Sequence, residues 1–198
     1  MAETGAVPRL WDRSRQAARE EIERTALRLF TEQGFDATTI DQIVAEVGIS
    51  RRSFFRYFGT KEDIVLGDLV AVGRTLRDAL AARPAEEDPW SALRAAFLAM
   101  AAHGPSPERR LTVMRLMLTS SSLRARHLEK HLQWQGLLVP LLEQRLGVDA
   151  GAAPDPRARA LVSAALGCLD TALEVWTLRD GEADPVELYD QAVAAVRG

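Results

Sequence analysis

Residues 39–61, TIDQIVAEVGISRRSFFRYFGTK, decide the fold. Thr39 can accept a backbone N–H at the start of a helix, and Gln42, three residues on, completes a capping box. Ile40, Ile43, Val44 and Val47 recur at i, i+3, i+4 and i+7, one apolar face of that helix. Gly48 ends it, because glycine takes the left-handed backbone of a helix terminus without a Cβ clash. Ser50 then offers a hydroxyl to cap a second, shorter helix. From Ser50 to Lys61 the chain carries Arg51, Arg52, Arg56 and Lys61 and no acid. Phe54 and Phe58 stand four apart, so they share a face that can anchor this helix on a core. Arg51, Arg52, Ser53 and Arg56 are left for the outer side. A short helix with an apolar anchor and a basic outer face, packed behind a capped helix, has the layout of a helix-turn-helix. The DNA major groove admits one helix, and arginine can pair bidentately with guanine there. A helical hairpin with a solvated basic face has the same local pattern.

Upstream, Ile22, Ala26, Leu29 and Phe30 form the inner stripe of a helix over 15–33, stopped by Gly34. Phe35 tucks under the same core. The expected small domain, 15–62, is therefore three helices around Ile22, Leu29, Phe30, Phe35, Ile43, Val47, Phe54 and Phe58. Residues 1–14 have little periodicity and read as a flexible arm carrying Arg9 and Arg13, with Arg15 just beyond it. Downstream, Thr60 caps a fourth helix, and Asp63 in its first turn suits the macrodipole. Leu66, Leu69, Val72, Leu76 and Leu80 continue one stripe along it. Further helices are expected at 90–103, 108–119, 121–146, 156–179 and 185–196. Their breaks are marked by Gly104-Pro105, Ser120–Ser122, 147–156 and 181–185. No strand pattern and no internal repeat is evident, so the fold class is all-α.

Composition bounds the function classes. The 198 residues are 47% hydrophobic and 27% charged, as in a globular protein. No uninterrupted apolar run reaches the roughly 18 residues a membrane helix needs, and the N-terminus has no apolar signal region. Cys168 is the single cysteine, so an intrachain disulfide is excluded and a cytoplasmic location is expected. Net charge is −3. Residues 9–61 carry 10 basic and 8 acidic side chains, whereas 62–198 carry 15 and 19. Positive charge is thus concentrated at Arg51–Lys61, and local charge, not the total, steers a polyanion.

Residues 22–66 resemble the DNA-binding domain of the TetR family of bacterial transcriptional regulators. The resemblance rests on Ile22, Ala26, Leu29-Phe30, Gly34-Phe35, Thr38-Thr39, Ile43-Val44, Gly48-Ile49-Ser50, Phe54-Phe55, Tyr57-Phe58 and Lys61-Glu62. Phe55 stands where the family usually has tyrosine, and Arg52 where many members have glycine. The resemblance implies a linking helix into a helical-bundle domain, 63–198, that binds a ligand and forms a homodimer through its last two long helices. It also implies a double-stranded operator, a repressor released by a small effector, and no catalysis. On this reading Arg51, Arg52 and Ser53 reach base edges, while Thr39, Ser50, Arg56, Tyr57 and Lys61 hold phosphates or fix the helix start.

In the second half, Phe97, Met100, Met114, Met117, Trp134, Leu138, Leu169 and Trp176 are large apolar residues on successive helices. They can form an ordinary core or line a cavity for an apolar effector, with methionine adapting to ligand shape and tryptophan adding a polar handle. The stretch 120–147 resembles TetR members with acyl-CoA-type ligands. Ala160, Ala164, Ala165, Gly167, Ala172, Ala192, Ala194 and Ala195 allow close helix approach, in a dimer or in the monomer's own core. His127 and His131 are one helical turn apart and could share a metal. Glu129 does not follow the first histidine, so the metalloprotease signature is absent. No second cluster is evident, and the pair reads as a solvated or partner-facing face with neither metal nor cofactor. The rival reading is a helical-bundle metal-binding protein or enzyme using His127, Glu129, His131 and Asp170.

Overall fold

A computed structural model describes residues 10–148 and 155–198, with side chains from Arg13 onward. These residues form ten α-helices and no strand. The chain divides into two compact units, Met1–Gly67 and Asp68–Gly198.

The first unit contains α1 (Leu10–Gln33), α2 (Ile40–Val47), α3 (Arg51–Tyr57) and α4 (Glu62–Leu66). α1 packs against α2 and α4, and α2 against α3. Ile22, Ala26, Leu29, Phe30, Phe35, Ile43, Phe54, Phe58 and Ile64 make its core, each at most 5% exposed. Val47, expected there, is only half-buried, whereas Val44 and Val65 are buried. α1 starts five residues earlier than expected. Arg13 and Arg15 therefore sit on a helix and not on an arm; Arg9 and the rest of 1–9 lie outside the described residues.

The expected fourth helix is two. Gly67 adopts φ +69° after α4, and the Asp68 carboxylate accepts from Ala71 N–H to start α5 (Leu69–Ala81). A glycine followed by a capping residue outweighs the continuous apolar stripe, because the left-handed backbone and the new cap break the i→i−4 ladder. Thr60 sits one residue ahead of the cap position, Lys61, which gives no side-chain cap; Thr60 Oγ accepts from Asp63 N–H while the Asp63 carboxylate accepts from Thr60 N–H.

The second unit continues with α6 (Pro89–Ala102), α7 (Pro107–Thr119), α8 (Ser121–Arg145), α9 (Pro156–Leu178) and α10 (Pro185–Arg197). Four of these begin on one device. Asp88, Ser106, Asp155 and Asp184 cap through a side-chain oxygen, and proline follows at the first helical position. Proline costs nothing there, since that N–H has no partner in the helix, and each cap is worth about 1 kcal/mol. α5 packs on α6 and α8, and α9 on α8 and α10. The shared core includes Leu76, Leu80, Leu93, Phe97, Leu138, Leu142, Val162, Leu166 and Leu188. Burying each such side chain contributes about 1.5–3 kcal/mol.

α9 is long and apolar enough to cross a membrane by length and composition alone, although no uninterrupted run of that length exists. Its apolarity has two sources. One face, with Ala158, Val162, Ala165, Leu166, Ala172 and Trp176, lies in the core. The other face is exposed and mostly small, with Ala160, Ser163, Gly167 and Thr171, followed by Glu174 and Leu178.

Candidate functional site

The turn between α2 and α3 is built as the sequence requires. Thr39 Oγ accepts from Gln42 N–H at 3.2 Å, and Gln42 Oε1 accepts from Thr39 N–H at 2.7 Å. Gly48 closes α2 at φ +76°, its N–H donating to Val44. Ser50 Oγ accepts from Ser53 N–H and contacts Ser53 Oγ, both at 3.1 Å. Both serine hydroxyls are thus tied into the start of α3.

Phe54 and Phe58 hold α3 on the core, 0% and 2% exposed. The outward stripe is Arg51, Arg52, Phe55 and Arg56; Ser53 and Tyr57 lie half-buried at its edges. Phe55, 48% exposed, takes the outer place expected of Ser53. The four cations differ. Arg51 donates to both carboxylate oxygens of Asp41 at 3.0 Å. Arg56 stacks on the Tyr57 ring, 5.2 Å from its centroid. Arg52 is exposed and makes no ion pair among the described residues. Lys61 is engaged inward: its ammonium donates to Phe35 O at 2.7 Å and Thr38 O at 2.8 Å and lies over the Phe35 ring. Two of its three donors therefore clamp the α1–α2 connection, which replaces the free phosphate cation expected of it. Arg19 was not singled out from the sequence. It donates to Tyr57 O at 3.3 Å and stacks on Phe58 at 4.7 Å, holding the C-terminal end of α3. Its single signal was its place on the inner edge of α1.

In the second unit Phe97, Trp134, Leu138 and Trp176 are part of the core cluster, with Met100 and Leu169 packed against it; Met114 and Met117 are also buried. Neither tryptophan offers a free polar handle. Trp134 Nε1 donates to Leu69 O at 3.3 Å and Trp176 Nε1 to Gly181 O at 3.1 Å. An open recess of about 230 Å³ lies elsewhere, between the ends of α5 and α8, lined by Leu80, Arg83, Leu141 and Arg145. None of the eight candidate residues lines it. Arg145 fills part of it, donating to the carbonyls of Leu80, Arg83 and Pro84.

The histidine pair is not solvated. His131 is 9% exposed and His127 half-buried, and Asp170 of α9 reaches between them. Asp170 Oδ1 is 2.8 Å from His127 Nε2, and Oδ2 is 3.3 Å from His131 Nδ1. Burial pushes the His131 pKa down to about 4, so this ring is neutral at pH 7. Lys130 stacks on Trp134 at 4.4 Å, and burial pushes its pKa down to about 8. Glu129 faces outward and pairs with Arg126. Cys168 is buried and its thiol pKa is raised by that burial, which favours packing over thiolate chemistry.

Comparison with known proteins agrees with this geometry. Residues 22–67 match the sequence profile of bacterial regulatory proteins of the tetR family, and residues 87–198 match that of the MftR C-terminal domain. The HTH-type transcriptional regulator TcmR of Streptomyces glaucescens is 33% identical over 72% of this chain and 66% of its own length. A mycofactocin biosynthesis transcriptional regulator, MftR, assigned in Mycobacterium tuberculosis is 30% identical over 93% of this chain and 91% of its own. Among solved structures, the repressor FadR of Thermus thermophilus, in complex with lauroyl-CoA, superimposes with a TM-score of 0.53 at 23% identity, covering 89% of this chain and 91% of that one. These matches give no support to a helical-bundle enzyme.

Proposed function

This chain belongs to the TetR family of bacterial regulatory proteins, and we propose that it is a ligand-responsive repressor that binds a palindromic operator as a homodimer. The carrying observation is the outward stripe of α3: three arginines and one phenylalanine on a helix of seven residues, anchored from behind by Phe54 and Phe58. In this reading Arg51 and Arg52 approach base edges, Arg52 being the less encumbered, while Ser50 and Ser53, tied to each other, fix the start of α3. Thr39, Arg56 and Tyr57 set register against phosphates, which position without specifying sequence. Lys61 acts one step back, by holding the α1–α2 connection.

One recognition helix reads only a few base pairs, so a two-fold pair is needed for a specific site. The exposed small face of α9, with Ala194, Ala195 and Val196 of α10, supports self-association through these two helices. The effector in this reading is a small molecule with an apolar part, acyl-CoA-like in one version; Phe97, Met100, Met114, Met117, Trp134, Leu138, Leu169 and Trp176 are packed in or against the core, so uptake among them requires the helices to part. The lauroyl-CoA complex of a structural relative supports that version. The effector acts by favouring a conformation poorly matched to the operator, and by no more than its differential affinity for the two states. A bacterial cytoplasm is the setting this function needs.

The test is a footprint on DNA flanking the protein's own gene, followed by Arg52→Ala on the protected site. Base preference should relax at one position per half-site, at a cost of about 1–3 kcal/mol. An unchanged preference refutes base reading by Arg52. Gly167→Glu tests the dimer. A side chain at Gly167 meets nothing within 4 Å, so the fold should survive while sedimentation shows monomers and operator affinity collapses.

A further inference from the structure

Among the described residues, His127, His131 and Asp170 form a polar constellation that DNA recognition leaves unused, and we propose that it binds a single divalent first-row transition ion, zinc being the reference case. Each residue offers one ligand atom, and these atoms all lie within 4.8 Å of one another. The two histidines are one turn apart on α8, and the carboxylate comes from α9. Two ligands at tetrahedral zinc, each about 2.0–2.1 Å from the ion, stand about 3.3 Å apart. The observed carboxylate–imidazole separations are 2.8 Å from Oδ1 to His127 Nε2 and 3.3 Å from Oδ2 to His131 Nδ1. With a single oxygen as ligand the three atoms lie within 4.8 Å, so an ion requires the side chains to draw together.

Charge argues in the same direction. The Asp170 side chain is only 34% exposed, and among the described residues it meets two imidazoles and no arginine or lysine within ion-pair distance. The nearest ammonium, Lys130, is turned onto the Trp134 ring. A divalent ion between this partly exposed carboxylate and the two imidazoles would supply the positive charge that the cluster lacks. Two imidazoles and one carboxylate suit zinc, cobalt or nickel better than calcium or magnesium, which prefer oxygen.

The surroundings also set the strength. His127 Nδ1 and His131 Nε2 are buried without a hydrogen-bond partner. Ligating imidazoles are normally held from behind by such a partner, whose loss costs about 10–100-fold in affinity. With three protein ligands and this missing support, the site should exchange its ion readily, unlike a closed four-ligand structural zinc site. The fourth position is left to water or to a donor atom of a bound molecule.

The test uses the full-length protein, stripped with a chelator and titrated with Zn²⁺ alone by calorimetry and with Co²⁺ by visible absorption. One ion per chain is expected, with the intense absorption of four-coordinate cobalt. Asp170→Asn, close in shape to the native side chain, and His131→Ala should each weaken binding at least tenfold and abolish the cobalt bands. Glu129→Gln, on the outer face of α8, should leave both unchanged. Retained helicity by circular dichroism separates ligand loss from misfolding. No saturable binding, or binding indifferent to Asp170→Asn, overturns the proposal. Neither readout involves DNA, so such a failure leaves the repressor reading intact.

Discussion

The two units place their chemistry in opposite ways. In the first, the functional side chains point outward from a small apolar core: α3 shows Arg51, Arg52, Phe55 and Arg56 to solvent while Phe54 is fully buried. In the second, notable polar groups are turned inward: His131 and the unpartnered Tyr189 hydroxyl are buried among apolar helices, and the half-buried Asp170 reaches in to His131. A polymer as large and charged as DNA needs a projecting surface already set in place. A small ligand or ion needs an enclosure, and the polar groups that recognise it must be buried with it.

Four substitutions can break or sharpen this contrast, and the largest effect falls on the scaffold behind the outward stripe. Phe54→Ala should destabilise the first unit by about 3–5 kcal/mol, read by urea unfolding, and abolish DNA binding although no contact residue is changed. If binding survived, the stripe would not depend on its anchor. Lys61→Met should cost the same unit about 2 kcal/mol, through two lost charge-assisted hydrogen bonds to backbone carbonyls. The salt dependence of operator binding should stay as it was; a slope lower by about one would mean that Lys61 reaches a phosphate after all.

Gly73→Ala probes the packing of the second unit. A Cβ there would stand 2.8 Å from Trp134 Cδ1 and 2.9 Å from Nε1. Overpacking of about 1–3 kcal/mol is expected, together with loss of the indole bond to Leu69 O and a shift in tryptophan emission. An unshifted emission would mean that α5 and α8 can part without cost. The smallest effect is reserved for Thr39→Ala, about 1 kcal/mol from the lost cap of α2, measurable in the urea midpoint of the first unit.

The contrast also explains what could be read in advance. Every residue of the outward stripe lies within seven consecutive positions, between a capping box and a glycine on one side and Phe58 on the other. Local rules therefore placed Arg51, Arg52 and Arg56, and the same rules found α6 to α10 to within a residue or two. They failed where a contact spans the chain. Asp170 meets His127 across 43 positions, so the histidine pair looked solvated. Lys61 is 26 positions from Phe35, so its charge looked free. Apolar periodicity misled at Gly67, where a stripe running from Leu66 to Leu80 concealed a break that the Gly-Asp pair announces. Phe55 was left off the outer face, although the spacing that pairs Phe54 with Phe58 turns its neighbour outward.

Aspartate or serine followed by proline opens four of the five helices after Ala82, and each pair sets its helix start through atoms no more than three residues away. Such openings behave as phase marks along the chain. Residues added to the connection ahead of one, for example between His103 and Ser106, would lengthen that joint without rotating the stripe that follows. The bundle can thus tolerate length variation at its joints while each rod keeps the same side turned to the interior.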